Sequence, residues 1–286
     1  MENNKKCYFL KKINFEKGIL DNIVDCTIVL LLSSNQKRKK SIFKTLNKYK
    51  LCKNTIIQFN KGYKNCKKNL YKQSSLHDLN DSYYNAFKYA NENKVKNLLV
   101  LEDDVIFDHN IENPKIIKNI ENLYKNEDVD IFSLGTCVKL IHPSNILLDT
   151  YNCKKLLFFT STHACIYNKN FRDSFIKKYE NKRSIGFDED ININNYKNIY
   201  NYNKPIAYQP FEMTENSNQW AMFGINFSNF SKNYMKMLNL NFDNKQNSIK
   251  SFKKLEKSVL FINILIYAFV IYIVYIVIKF IYLKTK

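Results

Sequence analysis

The feature that most constrains this chain is an uncharged apolar run near its C-terminus, from Ser258 to Ile278. Its 21 residues match the length of helix that crosses a hydrocarbon core at 1.5 Å per residue. Lysines flank both ends of the run, and several tyrosines in and beside it suit a lipid–water interface. A buried core helix is the soluble alternative, but length and terminal position favour a transmembrane helix over residues 258–283.

The position of this run predicts how the rest of the chain is arranged. Residues 1–20 are polar and charged and lack the apolar centre of a signal peptide. A C-terminal span without a preceding signal is typical of a tail anchor, so we expect the larger domain to be cytosolic. The lysine flanks are nearly symmetric and do not decide the orientation. Residues 229–257 are polar and are expected to form a stalk.

Amino-acid composition limits the fold class and the binding partners of the residues outside this apolar run. Hydrophobic residues make up 45% of the chain, which is enough for a core, whereas the 5 Gly and 4 Pro are too few for a sandwich or barrel of many tight turns. The net charge of +19 would suit a protein that binds nucleic acid. The lysines are scattered along the chain, however, and their number is explained by the codons of an AT-rich genome. No basic patch with interleaved aromatic residues is visible, so we expect no nucleic-acid partner.

Cysteine usage indicates a reducing compartment. The chain has seven cysteines, an odd number, and none forms a C-x-x-C pair of the kind that holds structural zinc. Cys26 and Cys165 lie in apolar, strand-like runs. We therefore expect the cysteines to be mainly reduced core residues, as in a cytosolic protein.

Residues 24–228 alternate between strand-like and helix-like segments. The continuous apolar run Cys26–Leu32 is typical of a central parallel strand covered on both faces. The other predicted elements are helices at 36–50, 76–92, 114–125 and 168–180, strands at 55–59, 97–101 and 129–134, a loop at 60–75, and possible paired strands within 156–167. This order predicts an α/β domain with a sheet flanked by helices, and leaves residues 1–23 as an extension outside it.

Three consecutive acids, Glu102, Asp103 and Asp104, follow the predicted strand at 97–101. The carboxyl ends of parallel strands are where α/β sheets bind ligands. Adjacent carboxylates repel, so a cation or solvent is needed to keep them ionised together. In an extended chain residues i and i+2 share a face, so Glu102 and Asp104 are expected to face one ion, and Asp103 a ribose hydroxyl or a backbone amide. A solvated acidic turn is the alternative.

Motifs in a fixed order resemble glycosyltransferase family 25, which contains lipooligosaccharide and collagen galactosyltransferases. The matching segments are Leu98–Val105 (the family's ILEDDV), strand 26–32 with Ser33, Ser34 and Arg38, then Ser161–Tyr167, Gly186–Asp188 and Lys204–Pro210. The version found in large DNA viruses is closest, because Thr214–Trp220 also recurs there. The resemblance covers residues 24–225. It implies a GT-A-type fold for nucleotide-diphospho-sugar transfer, with a Rossmann-like mixed sheet and a D-x-D-like metal site.

The chain departs from the family at two places. The segment 161–167 lacks the family's glycine and carries His163 nearby instead. The upstream C-x-x-S-H of the family is replaced by Ser74–Leu79. The donor sugar and the acceptor are therefore left open.

By this resemblance Glu102 and Asp104 would hold Mn²⁺ or Mg²⁺ on the donor diphosphate, since hard oxygen ligands suit these ions. Asp188 would be the general base that takes the proton of an acceptor hydroxyl. Asp190, two residues further on, is the second candidate. A helix N-cap is the structural alternative for Asp188.

The other expected contacts concern the nucleotide-sugar. Ser33, Asn35 and Arg38 follow the first strand, where base and ribose would bind, although a solvated helix face is the commoner environment for Arg38. Asp103 would meet a ribose hydroxyl. His163 would hold the metal or a phosphate oxygen, although a lone histidine in an apolar strand is more often a core residue.

The resemblance implies a metal-dependent glycosyltransferase that moves a sugar from a nucleotide-sugar, with a UDP-sugar favoured, to a glycan, lipid or protein hydroxyl at a membrane. The alternative is a non-catalytic, membrane-tethered interaction domain of the same fold. A phosphoryl transferase is disfavoured because the chain has no G-x-x-x-x-G-K-[ST] motif.

Overall fold

The computed structural model describes residues 7–136, 138–145, 151–181, 187, 191–192, 198–210, 221–222, 225–226, 233, 236–241 and 245–284. The helices are α1 (Gln36–Tyr49), α2 (Ser75–Glu92), α3 (Pro114–Asn126), α4 (Lys169–Glu180) and α5 (Lys245–Lys284). The strands are β1 (Tyr8–Asn14), β2 (Cys26–Leu32), β3 (Asn54–Asn60), β4 (Leu98–Glu102), β5 (Ile106–Phe107), β6 (Ile131–Ser133), β7 (Lys139–Ile141), β8 (Cys153–Phe159), β9 (Ala164–Tyr167), β10 (Ile199–Tyr202), β11 (Ala207–Tyr208), β12 (Ala221–Met222) and β13 (Ile225–Asn226). Short 3-10 turns occupy His109–Glu112 and Pro143–Asn145.

Within this part of the chain, nine strands form one mixed sheet in the order β1-β3-β2-β4-β9-β6-β10-β8-β7. Strands β3, β2 and β4 are parallel to one another, and β10 is parallel to β6. The remaining neighbours are antiparallel. The predicted α/β architecture is confirmed as a large mixed sheet with helices on both faces.

The two faces of the sheet carry separate cores. Val29 and Leu31 of β2 pack with α1 and α3, while Ile28 and Leu30 pack with α2 and α4. Because successive strand residues point to opposite faces, a strand covered on both sides must be apolar throughout. This is why the uninterrupted apolar run at β2 identifies a central strand.

Helices α1 to α4 lie within a residue or two of their predicted positions, but the strands of 156–167 pair differently from the expectation. Strand β8 lies between β10 and β7, and β9 lies between β4 and β6, so the two strands do not pair with each other. Apolar patterning identifies a strand, whereas its partners depend on segments that are distant in the chain.

The N-terminal residues differ from the extension predicted for 1–23. Strand β1 pairs with β3 along seven residues, and Phe9 stacks on Phe59 with ring centroids 4.3 Å apart. A disulfide joins Cys7 to Cys66 and ties this edge strand to the loop after β3. The expectation of reduced cysteines is therefore wrong for this pair, because β1 brings the two thiols together. Among the other cysteines that the structure describes, those at positions 26, 52, 153 and 165 are buried and form no disulfide, as expected.

The C-terminal helix α5 begins at Lys245, inside the segment predicted to be a stalk. Its Phe252, Leu255 and Val259 are buried in a small core with Tyr208. The stretch Gln246–Tyr282 is long and apolar enough to cross a membrane. The helix therefore continues without a break from the α/β domain into the apolar run.

Candidate functional site

The candidate site lies at the carboxyl ends of the neighbouring parallel strands β2 and β4. Strand β2 ends at Leu32, and after two residues Asn35 caps α1 by accepting a hydrogen bond from the Arg38 N–H at 3.1 Å. Strand β4 ends at Glu102, and a turn follows in which the Val105 N–H reaches the Glu102 carbonyl. Because β2 and β4 are hydrogen-bonded neighbours, the start of α1 and the acidic turn meet at one edge of the sheet.

Arg38 joins the two aspartates of this turn. Its Nη1 lies 2.7 Å from Oδ1 of Asp103, and its Nη2 lies 3.3 Å from Oδ2 of Asp104. Asp103 also accepts a hydrogen bond from the Leu32 N–H at 3.3 Å, so the expected backbone-amide contact is confirmed. The solvated helix face expected for Arg38 is wrong, because the first turn of α1 directs its guanidinium toward the acids.

The carboxylate of Asp104 is largely buried, with its side chain 7% exposed. The side chain of Gln209 donates to both of its oxygens, at 3.4 and 3.2 Å. Burial raises the pKa of Asp104 to about 6, against the lowering effect of the Arg38 charge and with a further rise from Asp103. The carboxylate therefore lacks full charge compensation from the protein, which is the condition under which an added cation is favoured.

The carboxylate of Glu102 accepts hydrogen bonds from residues other than those that contact the two aspartates. Its Oε1 accepts hydrogen bonds from the Tyr83 hydroxyl at 2.9 Å and from the Thr162 hydroxyl at 3.4 Å. The expected pairing of Glu102 with Asp104 on one face is not observed, because the strand ends at Glu102 and the turn rotates the next two residues. Strand alternation applies only while the chain stays extended.

His163 lies beside Glu102, whose N–H donates to the His163 carbonyl at 2.9 Å. Its side chain is fully buried, and among the described residues neither ring nitrogen has a hydrogen-bond partner of normal geometry. Burial lowers its pKa to about 4, opposed by a backbone contact with Ala207, so the ring is neutral at pH 7. A buried polar ring without a hydrogen bond of normal geometry is rare, and a bound ligand or ion is one explanation for it.

Ser33 and Asn35 lie at the same edge. The Oγ of Ser33 is buried without a hydrogen-bond partner in the described part of the chain. Asn35 is occupied as the cap of α1, which gives it a structural role whether or not it contacts a ligand. Both residues lie where the sequence predicts that the nucleotide binds.

The two expected catalytic acids, Asp188 and Asp190, lie outside the described residues. The residue before Asp188 is described: the ring of Phe187 is buried and stacks on that of Tyr83 with centroids 3.7 Å apart. Tyr83 in turn donates to Glu102. Phe187 is thus packed two side chains away from the acidic turn.

The structure also places at the site residues that are not among the candidates predicted from the sequence. Gln209 belongs to the P…Q segment of the resemblance, and that motif is a signal for it. Tyr83 lies on the apolar face of α2, and no sequence signal distinguishes its hydroxyl. Phe252 of α5 contacts the rings of His163 and Tyr208, so the helix forms one wall of this region.

A surface cleft of about 470 Å³ is located at the opposite edge of the sheet. It is lined near the amino ends of the central strands by Asp25, Cys26, Asn54 and Thr55, among others. Ligands of open α/β sheets bind at the carboxyl ends, so we do not assign this cleft to the candidate site.

The described residues do not include a group of three or more His, Cys, Asp and Glu side chains placed to hold a metal ion. This does not conflict with Mg²⁺ or Mn²⁺, because Mg²⁺ in particular is commonly held by one or two carboxylates together with substrate phosphates. The incompletely compensated carboxylate of Asp104, with the charge of Asp103 close by, fits such an ion.

The comparisons with known proteins give distant structural neighbours only. No protein-family model and no curated protein matches the chain. It is similar to the crystal structure of A197 from STIV, with 13% identity, a TM-score of 0.40, and coverage of 67% of this chain and 87% of that one. It is also similar to a glycosyltransferase involved in the glycosylation of the major capsid of PBCV-1, with 10% identity, a TM-score of 0.31, and coverage of 56% and 68%. At these values neither likeness carries an argument about activity, and the link to family 25 rests on the motifs.

Proposed function

We propose that this chain is a glycosyltransferase that moves a sugar from a nucleotide-sugar to a hydroxyl acceptor at a membrane. The observation that carries the proposal is the meeting of Arg38, Asp103 and Asp104 at the carboxyl ends of two neighbouring parallel strands. This is the edge of an α/β sheet at which nucleotides bind. The motifs shared with family 25 fall on the same residues.

The donor would lie over the start of α1. The guanidinium of Arg38 is suited to phosphate oxygens, since it offers several donors in a planar fork. The Oγ of Ser33, which is buried without a partner among the described residues, can hydrogen-bond a phosphate or ribose oxygen once its side chain rotates outward. Asp103 would keep Arg38 in place and accept a ribose hydroxyl. We favour a UDP-sugar on the resemblance alone.

Asp104 is the residue we propose to hold Mn²⁺ or Mg²⁺, together with oxygens of the diphosphate. Such an ion, when bound, neutralises charge on the departing nucleoside diphosphate. Both hydrogen bonds from Tyr83 and Thr162 end on Oε1 of Glu102, so Glu102 would join Asp104 through its Oε2 or after a rotation of its side chain. A negative diphosphate would also compete with the aspartates for Arg38, which would leave Asp104 free for the cation.

Asp188 remains our candidate for the base, with Asp190 second. In the proposed step the acceptor hydroxyl gives its proton to the carboxylate while its oxygen bonds to the anomeric carbon. The bond from that carbon to the phosphate oxygen breaks, and the nucleoside diphosphate leaves with the electron pair. The acceptor is a glycan, lipid or protein.

A non-catalytic interaction domain is the second candidate, and one observation favours it. Arg38 already pairs with both aspartates, so the acidic turn is satisfied in part by the protein itself. Under this alternative the acids would have a structural role only.

The test is release of UDP or GDP from a panel of nucleotide-sugars by the full chain in detergent, with and without Mn²⁺. We expect slow, metal-dependent release from one donor that is lost in Asp104→Asn. The matched control is Asp173→Asn, an exposed acid on α4 that pairs with Lys169, and it should leave release unchanged. No release from any donor, with equal stability of wild type and Asp104→Asn in Mn²⁺, would favour the interaction domain.

A further inference from the structure

Helix α5 completes one edge of the nine-stranded sheet. Strand β7 is the outermost strand, and an edge strand has backbone groups without a neighbour. The side chain of Asn263 supplies hydrogen-bond partners for two of these backbone groups. Its Oδ1 accepts from the Ile141 N–H at 2.8 Å, and its Nδ2 donates to the Lys139 carbonyl at 2.8 Å. This explains why an amide occurs inside an otherwise apolar run.

A second contact follows one turn later. The Tyr267 hydroxyl donates to the Ile141 carbonyl at 2.5 Å. Earlier in the helix, Glu256 pairs with Lys139 at 2.9 Å. With the buried Phe252 these contacts form a stripe at helical spacing along one side of α5, so the helix is packed on the domain over about four turns.

The length left beyond these contacts is too short to cross a bilayer. From Ala268 to Tyr282 every residue is exposed, which is a stretch of 15 residues. A span needs about 20 residues, or roughly 30 Å of helix. The lysines at 279 and 284 mark the polar end of the run, so the missing length has to come from the side of Asn263 and Tyr267.

We propose that the edge formed by β7, the turn at 143–145 and the adjoining part of α5 is a membrane-docking face that lies against the lipid headgroups. The proposal rests on the membrane span but not on transferase activity. If the span starts near Ile264, the Asn263 contact with β7 falls at the hydrocarbon boundary. The domain edge then cannot be separated from the bilayer by a flexible stalk.

The surface chemistry of this face fits a bilayer that contains anionic lipid. Apolar Val138 and Leu157 are exposed at 42% and 48% near the edge strand. On α5, Lys253, Lys254 and Lys257 are exposed just before the apolar run. Anionic headgroups attract lysines, and exposed apolar side chains can bury themselves at the boundary between headgroups and acyl chains.

Docking would also set the position of the candidate site. Phe252 contacts His163, and it precedes Ile264 by 12 positions, which is about 18 Å along a helix axis. The acidic turn would then stay close to the membrane surface at a constant orientation. An acceptor hydroxyl carried on a membrane-resident molecule is within reach of a site so placed.

The test uses the full chain in nanodiscs of phosphatidylcholine and phosphatidylserine, with a nitroxide on Leu157→Cys. The control is a nitroxide on Glu92→Cys, which is exposed at the end of α2. Oxygen concentrates in lipid, whereas a charged nickel complex stays in water. The ratio of their collision rates with the nitroxide therefore reports how deep the nitroxide lies in the bilayer. The unsubstituted chain measures any labelling of native cysteines.

We expect the label at 157 to be lipid-like and the label at 92 to be water-like. Asn263→Leu, which leaves the Ile141 N–H without its partner, should shift the label at 157 toward water while the spectrum at 92 stays the same. Equal, water-like values at the two positions, or a reading at 157 that Asn263→Leu leaves unchanged, would overturn the proposal. Loss of the chain from nanodiscs would show instead that the span itself is wrong.

Discussion

The Nη1 atom of Arg38 lies 2.7 Å from Oδ1 of Asp103, which ties the first turn of α1 to the turn that ends β4. The contact joins two segments that are 65 positions apart. It gives the acidic turn a cation from the protein itself, in a partly exposed position where a ligand can also reach the guanidinium. The behaviour of the site in solution should depend on this pair.

Replacing Arg38 with glutamine should destabilise the fold. The change leaves adjacent carboxylates, largely buried, without a positive partner, and we expect a loss of about 1–3 kcal/mol at neutral pH. The measurement is chemical denaturation of the full chain in detergent. Lys40→Gln, at an exposed position of the same helix, is the control and should change the free energy of unfolding little. A loss equal to that of the control would show that the pairing contributes no stability.

The stability of wild type relative to Asp104→Asn should depend on pH. Burial raises the pKa of Asp104 to about 6 from 3.8, so the native state binds this proton more tightly than the unfolded state. The contribution of this group to stability therefore falls as pH rises from about 4 to 6 and is least favourable above 6. The free energy of unfolding of Asp104→Asn should therefore rise relative to that of wild type between acid and neutral pH, when denaturation is measured without metal. A difference that is constant with pH would contradict the raised pKa.

Gly135→Ala should destabilise the protein and displace Gln209 from Asp104. A Cβ at position 135 would lie 1.8 Å from the Ala207 carbonyl oxygen, and that oxygen belongs to the backbone and cannot move aside cheaply. We expect a loss of about 2 kcal/mol or more in denaturation. Ser34→Ala, at an exposed position, should cause little change. Wild-type stability in Gly135→Ala would mean that β11 packs less closely than described.

Removing the Cys7–Cys66 disulfide should lower stability by about 2–4 kcal/mol, because the bond closes a long loop in the unfolded chain. It also holds Tyr8 near Asp81 and the buried Lys68, with hydrogen-bond distances of 2.7 and 2.6 Å from the tyrosine oxygen. The measurement is thermal unfolding of wild type with and without reductant, beside the double variant Cys7→Ser, Cys66→Ser.

The double variant should unfold at the same lower temperature with or without reductant, and peptide mapping of wild type should find the two cysteines linked. Disulfides are typical of oxidising compartments, so a linked pair in protein isolated from its native membrane would argue against the cytosolic location that the sequence analysis predicts. Free thiols at both positions would support that location and contradict the disulfide.

Much of the local structure was predictable. The apolar run of β2 and the helices α1 and α2 each depend on residues close in the chain, and each was found within a residue or two of its predicted position. The acidic turn was also recognisable as a candidate site from its place after an apolar strand. The orientation of the three carboxylates could not be predicted, because that orientation depends on where the extended backbone ends. Glu102 is the last residue of β4.

The sequence by itself determined the helices, the central strands and the apolar C-terminal run, because capping and hydrophobic periodicity are properties of neighbouring residues. Tertiary structure alone decided that β1 joins the sheet, that Arg38 meets Asp103, and that Asn263 covers the backbone of Ile141. The last two pairs are 65 and 122 positions apart. Contacts of that kind arise only when packing of the sheet and helices brings distant segments together, and no local pattern encodes them.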